Sequence, residues 1–265
     1  MIDADARPDL SVVLPIYNAA EFIEKRLGAL CDFLDASELR YEVVAVDDGS
    51  SDDSAERIVR MNRDHTRLVR RPRNEGKFAA LVDGMAECSG RCCLFTDADL
   101  PYDLSSVSRM VQLVLARGLH LVIGDRTLPE SSYSQHLGPL RALATRVFTA
   151  FVRLFVTGGV RDTQCGLKAF RADVASALFP LLRERRFAGD VELLYIALKY
   201  NLSIRTIPAQ LVFQGRSSVR PLRDGASMLR ALFALPRRWR GGAYASPELE
   251  ALGREDYAEP DAAGR

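Results

Sequence analysis

Two acidic clusters stand out for the chemistry that their residue types and spacing allow. Asp97-Ala98-Asp99 places two carboxylates two residues apart with a small residue between them. In an extended segment such side chains point to the same side, where they can hold a hard divalent ion while a ligand's phosphates complete its shell. A D-x-D run is also common in surface loops, so the argument needs the second cluster, Asp47-Asp48-Gly49-Ser50-Ser51-Asp52. Carboxylates gathered at one edge repel each other unless a cation or donor groups compensate them. A cation is the simpler compensation, and Asp97 and Asp99 are its expected ligands.

These clusters need strands to carry them. Residues 10–16, 41–46, 91–96 and 119–124 are short apolar runs, with a weaker one at Leu68 and Val69, and helix-period segments alternate with them. Ile23, Leu27, Leu30 and Leu34 mark one helix, residues 78–86 another, and Val107, Met110, Val111 and Val114 a third. A further helix opens near Asp52, with Ser50, Ser51 and Asp52 as capping candidates. The pattern predicts a doubly wound α/β fold with a mostly parallel central sheet flanked by helices. Ligands of such sheets bind beyond the carboxyl ends of strands where strand order reverses, and both acidic clusters follow strands. The second half is less regular: a helix over 140–155, a turn at Gly158-Gly159, a strand over 167–170 and a helix opening near Asp190.

Composition narrows the class. The 265 residues are 48% hydrophobic and 27% charged, which suits a soluble globular chain and excludes global disorder. Lys and Arg total 36 against 35 Asp and Glu, a net charge of +1, so no global field favours nucleic acid. Five cysteines, an odd number, do not make a disulfide framework, and Cys92-Cys93 opening an apolar run reads as buried thiols rather than zinc ligands. The first residues lack an apolar signal region and no stretch is apolar for the length of a spanning helix, so a cytoplasmic protein is expected. Four segments result: an extension over 1–9, the main domain over 10–215, a basic amphipathic segment over 216–244, and an acidic, disordered tail over 245–265.

The motifs in order, Val12-Val13-Leu14-Pro15-Ile16-Tyr17-Asn18, Val46-Asp47-Asp48-Gly49-Ser50-Ser51-Asp52, Asn74-Glu75-Gly76-Lys77 and Thr96-Asp97-Ala98-Asp99, resemble glycosyltransferase family 2. Gly124-Asp125-Arg126, Asp162-Thr163-Gln164-Cys165-Gly166-Leu167-Lys168-Ala169-Phe170 and Asp190-Val191-Glu192-Leu193-Leu194 look like its polyprenyl-phosphate sugar transferases, the dolichyl-phosphate glucosyltransferases above all. The resemblance implies the GT-A (Rossmann-like) fold and a nucleotide-diphosphate sugar as donor, UDP-glucose first and GDP-mannose behind it. It implies that Pro15 and Tyr17, in the loop after the first strand, contact base and ribose, as do Asp47 and Asp48. Asp97, Ala98 and Asp99 match the metal-diphosphate motif, with Mg2+ or Mn2+ as cofactor. Lys77, in a glycine loop, reads equally as a phosphate contact or as a solvated lysine. Ala19 departs from the acid that many lipid-phosphate members carry after Tyr-Asn.

A lipid phosphate monoester is largely ionised at neutral pH, its second pKa being about 6, so it needs no strong general base. Arg126, with Arg141 or Arg146, offers forked donors for that phosphate. Asp190 reads equally as a helix cap or as the base that a hydroxyl acceptor requires. Direct displacement inverts the anomeric centre. For contact with the cytoplasmic face of a membrane the candidates are residues 140–155 and 227–239, both basic and amphipathic; packing on the domain is their alternative. The rival readings are transfer to a soluble hydroxyl acceptor with Asp190 as base, and a nucleotide-sugar-binding protein without turnover.

Overall fold

The computed structural model describes residues 7–131, 160–212 and 221–255. Seven strands form one sheet: β1 (Leu10–Ile16), β2 (Tyr41–Asp47), β3 (Thr66–Arg70), β4 (Cys92–Phe95), β5 (Leu121–Asp125), β6 (Lys168–Arg171) and β7 (Ile204–Pro208), in the order β3-β2-β1-β4-β6-β5-β7. All neighbours are parallel except β6, which runs antiparallel to both β4 and β5. Consecutive residues of β1 and β2 are buried because both faces are covered, the reason these strands read as unbroken apolar runs.

Alternation along each strand divides the core. Val12, Leu14, Val43 and Ala45 face α1 (Ile23–Asp35), α2 (Ser54–Met61) and α4 (Ser105–Arg117). Val13, Val44, Val46 and Phe95 face α3 (Lys77–Ala86), α5 (Ala172–Leu178) and α6 (Gly189–Lys199). The chain winds from β1 out to β3, then crosses to β4 on the other side of β1. Strand order therefore reverses between β1 and β4, and their carboxyl ends deliver Tyr17 and Asp97 to the crevice where ligands of such sheets bind.

Beyond β7, α7 (Pro221–Arg240) carries the basic segment. Leu232 and Leu235 are buried, and the Trp239 ring meets Tyr200 edge-on at 5.2 Å and Tyr195 at 6.3 Å. That part of its apolar stripe packs on the domain. The helix expected over 140–155, with Arg141 and Arg146, lies outside the described residues. Among the described residues no helix is long and apolar enough to cross a membrane.

The tail departs from expectation. Residues 247–252 form α8 (Pro247–Leu252), Ser246 Oγ caps it by accepting from Leu249 N at 3.2 Å, and Leu249 is fully buried. Glu255 pairs with Arg171 at 2.8 Å and contacts His120. Acidic composition suggests disorder, but a few apolar side chains and an ordered cap dock this stretch, so the disordered assignment is corrected over 245–255.

Candidate active site

The ends of β1, β2, β4 and β5, with the 71–77 loop and the 162–166 turn, build the site. After β1, Asn18 adopts a left-handed conformation (φ 50°), and its Oδ1 accepts from Ser51 N at 2.8 Å. Ala19 N donates to Ser54 Oγ at 2.8 Å, and Ala20 N to Asp52 Oδ2 at 3.0 Å. The loops after β1 and β2 thus interlock through the serines and aspartate of the second acidic cluster. Tyr17 stands half exposed at 51% on top of them, whereas Pro15, expected in the loop, lies within β1 opposite Val46. Ala19 is buried.

Asp47 and Asp48 separate in role. Asp47 Oδ1 accepts from Ser50 N at 3.1 Å. Asp48 is committed to the next loop: its oxygens accept from Arg71 Nη1 at 2.5 Å, Glu75 N at 3.1 Å and Gly76 N at 2.8 Å. Arg71 also donates to Asp83 at 2.6 Å and Glu75 at 2.8 Å. Gly49, at φ +67°, lets this loop approach, since a Cβ there would lie 2.6 Å from the Arg73 backbone. Asp48 therefore anchors the loop that presents Lys77. Sequence reasoning passed over Arg71, whose only signal was its place among Arg70, Arg73 and Pro72 directly after a strand.

Lys77 opens α3 and its Nζ donates to Asp97 Oδ1 at 2.5 Å. Burial alone would lower its pKa, but the charges of Asp97 and Asp190 raise it, so it remains a cation. Asp99 has the opposite environment. Burial and the like charge of Asp97 raise its carboxyl above the ordinary range, against weaker pulls from Lys77 and Arg26. The next residue, Leu100, is left-handed (φ 45°), a strain of the kind that collects at functional sites.

This donor set fits a hard divalent ion: two carboxylates in sequence, one destabilised by its neighbour's charge, in a crevice. Among the described residues no group of three or more His, Cys, Asp and Glu converges, so protein atoms would supply only part of its shell.

On the other side of β4, Arg126 follows β5 and forms a forked pair with Asp162, Nε to Oδ2 at 2.6 Å and Nη2 to Oδ1 at 2.8 Å. Burial would raise Asp162, but the Arg126 hydrogen bonds and charge hold its carboxyl below the ordinary range. The 162–166 turn then reaches Asp97: a Cβ on Gly166 would lie 1.9 Å from Asp97 Oδ2. Asp190 lies in the first turn of α6 but makes no cap; it accepts from the fully buried Lys168 Nζ at 2.5 Å. The cap reading of Asp190 is thereby replaced by an ion pair. Lys168 was legible only as a charge inside an apolar strand. The structure brings together Lys77, Asp97 and Asp99, links Asp48 to them through the 75–77 loop, and sets Arg126 beside the Asp162 turn.

The family described as Glycosyl transferase family 2 matches residues 11–179. The dolichyl-phosphate beta-glucosyltransferase of Drosophila melanogaster is 31% identical over 250 residues, covering 89% of this chain and 77% of that protein. Its Homo sapiens counterpart is 30% identical, with the same coverage. Among solved structures, glucosyl-3-phosphoglycerate synthase from Mycobacterium tuberculosis with Mn2+, UDP-glucose and phosphoglyceric acid superposes with a TM-score of 0.63 at 24% identity, over 89% of this chain and 80% of that one. That likeness shows the fold, a GT-A sheet.

Proposed function

The chain belongs to glycosyl transferase family 2, and on that premise we propose that it transfers glucose from UDP-glucose to a polyprenyl phosphate at a membrane surface, with inversion. The observation that carries the reading is the Lys77–Asp97 pair beside Asp99 at the point where strand order reverses. The names of the dolichyl-phosphate relatives support the acceptor and the sugar.

In this reading the nucleotide lies over Tyr17 and against Asp47, with Pro15 supporting the base from β1 and Asp48 acting through the loop it anchors. Lys77 and the backbone at Ala98 face the diphosphate. Asp97 and Asp99 would hold Mg2+ or Mn2+, which when bound supplies positive charge for the departing diphosphate. Arg126, oriented by Asp162, is the cation for the acceptor phosphate, joined by Arg141 and Arg146. Because that phosphate enters largely ionised, its oxygen attacks the sugar carbon without a side-chain base, the bond to the nucleoside diphosphate breaks from the opposite face, and a β-linked product leaves.

Contact with the cytoplasmic face of a membrane is peripheral in this proposal. The outward side of α7 exposes Arg230, Arg237 and Arg240 around Phe233, 60% exposed. Each cation near an anionic leaflet contributes about 1 kcal/mol.

The test is incubation with a panel of labelled nucleotide sugars, a polyprenyl phosphate, and Mg2+ or Mn2+, with Asp99→Asn as control. Label in the lipid phase from UDP-glucose supports the proposal. An α-linked product by NMR defeats inversion, and transfer only to soluble hydroxyl acceptors defeats the lipid acceptor.

A further inference from the structure

Among the described residues, Lys168 is a fully enclosed charge that the proposed reaction leaves without a task. It opens β6, the antiparallel strand, directly opposite Phe95 of β4, and its side chain has no exposed surface. An ammonium has three N–H donors and no acceptor, and all three are used here. They go to Asp190 Oδ1 at 2.5 Å, Cys165 O at 2.6 Å and Thr163 O at 3.2 Å. Its Nζ lies 5.4 Å from the Phe95 ring centre, and Lys77 Nζ lies 5.6 Å from the same ring. Two lysine–aspartate pairs, Lys77–Asp97 and Lys168–Asp190, therefore share one aromatic side chain.

The two carbonyls bound by Lys168 belong to the turn that joins both halves of the site. Asp162 at its start grips Arg126, Gly166 at its end lies against Asp97, and Gly166 N donates to the Tyr102 hydroxyl at 3.1 Å. Gln164 Nε2 reaches Phe187 O at 3.4 Å, tying the turn to the segment before α6. Removing the ammonium would free both carbonyls in a dry interior, where unpaired polar groups are costly, so the turn would have to move.

We infer that Lys168 is a positioning residue that holds the Thr163–Gly166 turn against Asp97 and Arg126, and that Asp190 is its counter-ion rather than a proton acceptor. The inference rests on the glycosyl-transfer reading and deepens it: with Asp190 committed to Lys168, the site favours an acceptor already ionised.

The test compares Asp190→Asn, Lys168→Met and the neutral pair Lys168→Met with Asp190→Leu. Readouts are UDP affinity by calorimetry, kcat and acceptor KM with a polyprenyl phosphate, and hydrogen exchange at the Gly166 amide. Asp190→Asn keeps an oxygen for Lys168, so kcat should fall less than about tenfold, whereas loss of a general base costs about 10²–10⁴-fold. Lys168→Met should lower kcat about 10²-fold through misplacement, with little change in UDP affinity and faster exchange at Gly166. Should it fail to fold, the neutral pair removes the stranded charge, and it should be folded, slow and fast-exchanging. A neutral pair with wild-type kcat and Gly166 protection overturns the positioning role. A loss above about 10³-fold in Asp190→Asn with Gly166 still protected overturns the counter-ion role. Wild-type protein inactive toward every polyprenyl phosphate, with the exchange differences intact, would refute the acceptor and leave the positioning role standing.

Discussion

Gly166→Ala isolates the geometry of the carboxylate site from its chemistry. The substitution adds one methyl group at a residue whose backbone does not lie in the left-handed region, so backbone strain is not introduced. That methyl would lie 1.9 Å from Asp97 Oδ2 and 2.7 Å from its Cγ, where real Cβ contacts under 3.0 Å are essentially absent. The carboxylate must therefore retreat by about 1 Å, a displacement that can cost 10²-fold in rate. Asp97 is about one-third exposed, at 34%, so it can swing toward solvent and the fold should survive with a small loss of stability. Its bond to Lys77 is the interaction that breaks. Steady-state kinetics with UDP-glucose and a polyprenyl phosphate, beside thermal melting, check both halves: kcat should drop about 10²-fold while Tm changes by only a few degrees. Wild-type kcat in a folded Gly166→Ala protein would refute the placement of Asp97 as the site's geometric centre.

On the proposed function, Asp99→Asn should reduce turnover about 10²–10³-fold, because an amide would hold Mg2+ or Mn2+ less well and so weaken the positive charge at the departing diphosphate. The same change should raise the melting temperature of the ligand-free protein at neutral pH. Because the folded carboxyl titrates above the unfolded one, its ionisation costs stability as pH rises from 3.8 through the raised value, and asparagine avoids that cost. Glu192, fully buried, accepts from Arg183 N at 2.8 Å, Glu184 N at 2.7 Å and Tyr244 Oη at 2.5 Å and pairs with Arg238. Glu192→Ala should cost about 1–3 kcal/mol in denaturant unfolding for each buried donor it leaves unpaired, the Arg183 and Glu184 amides and the Tyr244 hydroxyl, while Arg238 keeps Glu184 at 2.7 Å. His120 is held below its ordinary 6.5 by burial and Arg171, against the opposing pull of Glu255. Above 6.5 it is neutral in both states; as pH falls below that, the unfolded chain takes the proton first and stability drops. Melting curves at falling pH should show that loss and His120→Gln should lessen it. Leu249→Ala, in the docked tail, should destabilise by about 2–5 kcal/mol.

Legibility followed the range of the forces involved. β1 was readable to the residue, and β2, β4 and β5 to within two, because strands buried on both faces must be apolar throughout. β7 went unread because its five residues do not alternate: Arg205 and Ile207 share a face, yet the first is exposed and the second buried. The antiparallel insertion of β6 leaves no mark in local sequence, since direction is decided by the path of the chain. Sequence order located the acidic clusters, but not their partners: Arg71 lies 23 residues from Asp48, and Asp162 lies 36 from Arg126. Ser246-Pro247 was a readable helix start, outweighed by the acidic composition around it.

The distribution of charge gives the site its physical character. Buried ion pairs rarely stabilise a fold, because desolvation offsets their attraction. The buried Lys168–Asp190 pair and the partly exposed Lys77–Asp97 pair around Phe95 are therefore poor candidates for holding the sheet together, a task that the apolar faces of β1, β2 and β4 already perform. Their effect is geometric. Lys77 restrains Asp97 from the donor side, Lys168 restrains the turn behind Asp97, and neither restrains Asp99 through a hydrogen bond. Asp97 is thus fixed and Asp99 is left charged at a cost. Such a pair can exchange an internal penalty for binding energy when a cation and its phosphates arrive, which is why Asp99 rather than Asp97 is expected to show the larger gain in stability on substitution.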